Sequence, residues 1–131
     1  MKILFDMDVV IRETEFKNVV GTSFHDDTIN ANVNELIQIL GVKPIRDDNV
    51  DTMFNWCLEY HSKILNKSFP FTIYDYNENW DQHTRKYSDT SSRVNDYLYT
   101  TNINWHIGGL SGDDTILVKI WLKNRLKELR K

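Results

Sequence analysis

The 131-residue chain is poor in the residues that punctuate or cross-link a fold: one cysteine, Cys57, two prolines, five glycines, and a single alanine, Ala31. One cysteine forms no intrachain disulfide, so the fold rests on packing, and a reducing compartment is expected. No long apolar run is present. Near the start only Ile3, Leu4 and Phe5 are contiguous before Asp6, too few for a signal-peptide core or a membrane span, so a cytoplasmic protein with no membrane contact is expected. A strong charge of one sign is also missing. The formal net charge is -3, which gives no reason to expect nucleic acid as a partner. Neither internal repeats nor low-complexity tracts appear, and the length suits one domain over residues 1–131.

What is present is a substantial apolar complement, 40% of residues with four tryptophans, enough for one core. Asparagine, aspartate, isoleucine and lysine are plentiful, as in AT-rich genomes such as those of many phages. The charge is unevenly placed. Lys119 to Lys131 holds six Lys/Arg and one Glu, and the rest of the chain carries the negative balance.

The apolar spacing predicts a strand over 2–11, in which Asp6 and Asp8 share a face, and a further extended piece near 16–24. A helix is expected over 28–40, capped by Asp27 or Thr28 and stopped at Gly41. A second helix is expected behind Asp47-Asp48-Asn49, because Val50, Met53, Phe54, Cys57, Leu58, His61, Ile64 and Leu65 follow helical spacing. The stretch after Pro70 and the run "INWHI" read as strands, a short helix is placed over 92–99, and a final helix over 113–129. The expected class is α/β, a small sheet packed by about four helices.

Two carboxylates one residue apart at the end of an apolar strand can converge on one Mg2+ or on a phosphoryl group. One would attack phosphorus while the other moves a proton; the alternative is a strand with one solvated face. "LSGDDTILVKIW" presents a second acidic pair, Asp113 and Asp114. Ser111, three residues before Asp114, fits a helix N-cap with acids in the first turn. His61 reads as a satisfied core histidine, and no two histidines show zinc-site spacing. Cys57 has no neighbouring base to activate it. Aromatic residues crowd the middle, and Tyr74, Tyr76 and Trp80 are candidates for stacking on a base or anchoring a protein partner.

"ILFDMDVVI" resembles the first motif of the haloacid dehalogenase superfamily. "FNWCLEYHSKILNKSFPFTIYDYNENW" is similar to the cap helix and following segment of its 5'(3')-deoxyribonucleotidase-like members, which makes 48–80 a cap-like segment. The resemblance implies a reduced form of that fold, with Asp6 as nucleophile, Asp8 as general acid/base, Mg2+ as cofactor, and Asp113 or Asp114 as the late acidic motif that completes the Mg2+ site. The implied reaction is hydrolysis of a phosphomonoester such as a nucleotide. Departures accompany it. Val9 stands where the family has glycine, and Thr100 or Thr101 and Lys86 are stand-ins for its later motifs. The competing expectation is a non-catalytic binding protein, such as a phage-encoded inhibitor of a host defence system or an immunity/antitoxin-type protein. A third is a half-site that works only as a homo-oligomer.

Overall fold

Residues 54 to 62 decide the architecture. Phe54, Trp56, Leu58 and Tyr60 recur every second position and are buried, which is the period of a strand rather than a helix. Aromatic and bulky side chains favour the pleated surface. In the computed structural model, which describes residues 8–46, 54–75 and 102–131, Phe54–Ser62 is strand β4. The helix expected here is therefore corrected. Its apolar set fitted a 3.6 period, and the competing period of two prevailed.

The other strands are β1 Val10–Glu13, β2 Ser23–Ala31, β3 Ile45–Arg46, β5 Lys67–Tyr74 and β6 Ile103–Gly109. They form one six-stranded sheet, with β1, β4, β5, β6 and β2 side by side in that order and β3 pairing with β4 at Asn55 and Phe54. All the pairings are antiparallel. The α/β class with about four helices is overturned: the described residues hold two α-helices, α1 Val33–Leu40 and α2 Gly112–Leu129. The architecture is a mainly antiparallel sheet with two helices, not the haloacid-dehalogenase-like fold.

Each boundary has a local cause. α1 begins later than expected because Asn32, not Asp27 or Thr28, is its cap. The Asn32 side chain accepts from Glu35 N–H, and the Glu35 carboxylate accepts from Asn32 N–H, a capping box. The stretch 28–31 belongs instead to β2, beside β6. Gly41, at φ +78°, closes α1 as expected, its N–H reaching Ile37 C=O. α2 begins behind Ser111, whose hydroxyl accepts from Asp114 N–H at 3.2 Å. Of the first expected strand, residues 2–7 lie outside the described residues and β1 covers Val10–Glu13; the extended piece near 16–24 is a 3-10 turn, Phe16–Val19, followed by β2.

Both helices cover one face of the sheet. Leu36, Leu40, Val118, Trp121, Leu122 and Leu126 pack with Trp56, Phe71, Ile73, Trp105 and Ile107 from the strands. Each such side chain contributes roughly 1.5–3 kcal/mol. Trp56 and Trp105 meet edge to face at 5.5 Å, and each indole N–H is satisfied, by Val42 C=O and Ala31 C=O respectively. Among the described residues no helix is long and apolar enough to cross a membrane.

Residues 14–22 carry the chain from β1 at one side of the sheet to β2 at the other. Four strand spacings are about 19 Å, well within the ~30 Å reach of nine extended residues. The link lies against β4 and β5, and Thr14 N–H bonds Cys57 C=O.

Candidate functional site

The sheet face away from the helices carries the other half of each strand's alternation. On β4 these are Asn55, Cys57, Glu59 and His61; on β5 they are Ser68, Pro70, Thr72 and Tyr74. Glu59 and His61 are two residues apart, so both project from this face. The register places His61 opposite Ser68 and Glu59 opposite Arg12 of β1. Three polar side chains are thereby brought into a row by pairing alone.

The row is hydrogen-bonded from end to end. Ser68 Oγ lies 2.9 Å from His61 Nδ1, His61 Nε2 lies 3.2 Å from Glu59 Oε1, and Thr14 Oγ1 donates to Glu59 Oε2 at 3.0 Å. The ring's tautomer follows from the partners. In the neutral ring Nε2 carries the proton given to Glu59, because an ionised carboxylate only accepts. Nδ1 is then a bare lone pair, and Ser68 donates its O–H to it. The His61 and Glu59 side chains are about one-third exposed, 34% and 33%, so solvent and solutes reach them.

Beside the row lies a cleft of about 320 Å3, lined by Asp8, Val10, Arg12, His61, Ser62, Lys63, Asn66 and Ser68. Its floor is the four-residue β4–β5 turn, where Asn66 adopts a left-handed φ of 51°. Arg12 and Lys63 make no ion pair with any described residue. The lining thus holds two cations against one anion, with Ser68 and Asn66 as neutral hydrogen-bonding groups.

Asp8 enters this cleft in a different role from the one expected. It precedes β1 rather than sitting within a strand. Its Oδ1 accepts from Ser62 Oγ at 3.0 Å and its Oδ2 from Ile64 N–H at 2.7 Å. The Ile64 N–H, aided by the Ser62 hydroxyl, holds the carboxyl below its usual range. Ser62 in turn accepts from Leu65 N–H. Asp8 ties the strand entry to the hairpin turn. Asp6 lies outside the described residues, as do Tyr76, Trp80, Lys86, Thr100 and Thr101.

The second acidic pair is elsewhere. Asp113 and Asp114 occupy the first turn of α2 behind the Ser111 cap, and α2 packs against β2 and β6 rather than beside β1. Nearby, His25 Nε2 lies 3.1 Å from Gly109 C=O, and Asp27 accepts from Thr115 Oγ1 at 2.7 Å. Among the described residues no three His, Cys, Asp or Glu side chains gather as a metal site.

Tyr74 is half-buried on β5, 5.5 Å from the His106 ring, which itself lies 4.2 Å from Phe24. His61 is satisfied, as expected, but on the open face instead of in the core. Cys57 is buried, and burial first, with the Glu13 charge second, pushes its thiol upward. This suits an unreactive side chain.

Glu59 and Ser68 were not among the expected site residues. On a helix, positions i and i+2 face nearly opposite ways, so the helical reading of 50–65 hid the pair. The available signal was Glu-x-His within an alternating aromatic run, followed by a short turn. No family model, curated protein or solved structure matches the chain.

Proposed function

We propose that the chain binds a small molecule carrying a phosphate or similar anionic group in the cleft between β1 and the β4–β5 turn. The observation that carries this is the presence of two cations, Arg12 and Lys63, with no ion-pair partner among the described residues, lining one cleft with Ser68 and Asn66. Charge-assisted hydrogen bonds to an anion are roughly twice as strong as neutral ones. The one acid in the lining, Asp8, has each carboxylate oxygen engaged by the turn, which blunts its repulsion.

A phosphorylated ligand is what this reading keeps from the sequence expectation. The expected pairing of Asp6 as nucleophile with Asp8 as general acid/base is not part of this reading, since the Asp8 carboxylate is engaged by Ser62 and Ile64. The test is calorimetric titration with methyl phosphate at low salt. Saturable binding by the wild type, weakened about tenfold in Arg12→Ala and again in Lys63→Ala, is expected for the loss of one charged contact each. Unchanged affinity in both variants, with both folded, contradicts it.

A second reading, a binding protein that engages a protein partner, is favoured by a different observation. Phe16, Val20 and Leu110 are 75%, 66% and 55% exposed, and a Cβ on Gly21, next to Val20, would lie 3.8 Å from Leu110 Cδ2. Large apolar side chains left in water are what a protein interface covers. Replacing Val20 and Leu110 with serine should abolish partner capture while leaving methyl phosphate binding unchanged.

A further inference from the structure

We infer that Ser68 is a nucleophile, activated by His61 and positioned through Glu59, for hydrolysis of small carboxylic esters that carry an anionic group. The inference rests on the anion-binding reading for its substrate class, and on the hydrogen-bonded row for its chemistry.

An isolated serine hydroxyl is a weak nucleophile, and it is activated when a base sits within hydrogen-bond reach and is itself held by a third group. Both conditions are met, with 2.9 Å from Ser68 Oγ to His61 Nδ1 and 3.2 Å from Nε2 to Glu59 Oε1, and Thr14 holds the other Glu59 oxygen at 3.0 Å. Glu59 selects the tautomer that leaves Nδ1 unprotonated toward Ser68. His61 and Ser68 both line the cleft, so the reactive atoms open onto the space where an anion would be held.

The reaction balances within these groups. His61 Nδ1 takes the Ser68 proton as Oγ bonds to the ester carbonyl carbon, giving a tetrahedral alkoxide whose charge Arg12 and Lys63 offset. Collapse of the alkoxide breaks the bond to the leaving alcohol, which receives the proton from Nδ1. The acyl group now rests on Ser68. A water then attacks the same carbon and gives a proton to Nδ1. The second collapse releases the acid and returns that proton to Ser68 Oγ. The sum is ester plus water to acid plus alcohol, with no other reactant.

The experiment uses the full chain with mono-4-nitrophenyl succinate, an activated ester bearing a carboxylate, and 4-nitrophenyl acetate as the neutral comparison. Nitrophenol release faster with the succinate, and a succinyl group mapped to Ser68 by peptide mass spectrometry of the wild type, are expected. Ser68→Ala and His61→Asn should each lower turnover about 100-fold or more. Glu59→Gln, a change at a positioning residue, should lower kcat with KM unmoved, which a merely structural loss would not do. Far-UV circular dichroism and melting curves check that each variant is folded.

Acylation at Lys63 in place of Ser68, or equal release by Ser68→Ala, overturns the inference. No release by wild type that still binds methyl phosphate overturns it and leaves the binding reading standing. Ser68-dependent release by a chain that does not bind methyl phosphate supports the nucleophile and removes the anion-binding reading.

Discussion

Asp8 shows how far a residue's role depends on the backbone that holds it. The same carboxylate that a strand would aim at a metal here receives Ser62 Oγ and Ile64 N–H. Two hydrogen bonds to an ionised group fix the β4–β5 turn that floors the cleft. Replacing it with alanine should loosen that turn first. Amide hydrogen exchange at Ile64 is expected to rise about tenfold or more, in line with loss of one charged hydrogen bond, while exchange at Trp105 in the core stays slow. Equal protection in both proteins would remove Asp8 from this role. At this scale the sequence already displayed every residue of the cleft, and the Ser111 cap and the buried Cys57 were read correctly. What it hid was company: Glu59, His61 and Ser68 meet only once β4 and β5 are paired.

At the scale of elements, propensity and period pulled apart. Phe54 to Tyr60 satisfies both a helical stripe and a strand alternation, and the aromatic content was the better guide. The second half of β5, after Pro70, the run "INWHI" in β6 and the final helix were legible in the sequence, whereas Lys67–Pro70 was not read as strand. The start of α1 was missed by several residues because Asp27 and Thr28 offered plausible caps ahead of the one used. Asn32 with Glu35 formed the stronger signature, and Glu35 has a further task. Arg130, at the end of α2, donates to both Glu35 oxygens at 2.6 and 2.9 Å and to Asn30 C=O at 3.0 Å, joining both helices to β2.

The Arg130 hydrogen bonds, the largest influence, hold the Glu35 carboxyl below its ordinary value. A carboxylate depressed in the folded state contributes stability that is fully present above the unfolded value and is lost as pH falls through the folded one. Arg130 is 44% exposed, so solvent screening limits the contact to about 1 kcal/mol. Arg130→Ala should therefore melt a few degrees lower than wild type at pH 7. The gap should narrow progressively below about pH 4.5, the ordinary carboxylate range. A gap independent of pH from 7 to 3 would show that Glu35 does not mediate the effect.

Taken as a whole, the two α-helices of the described residues lie on one face of the sheet, and the other face is left to a crossing link and the polar row. That division places the candidate cleft at the corner made by β1, β4 and β5, apart from the basic end of α2. The strand order was not legible in the sequence. Local periodicity says where strands are, whereas their neighbours are settled by long-range pairing, and β1 joins β4 across more than 40 intervening residues. The basic helix end offers the rival anion site, a groove of about 230 Å3 that includes Lys123, Lys127 and Arg130. It has cations but no hydroxyl or imidazole beside them. Amide chemical-shift mapping during titration of the 15N-labelled chain with methyl phosphate separates the two. Shifts at Arg12, His61, Lys63 and Ser68 that saturate together, with Lys123 and Lys127 unmoved, are expected if the anion sits in the β1–β4–β5 cleft; saturable shifts confined to the α2 end, or none at the β4–β5 turn, would contradict that placement.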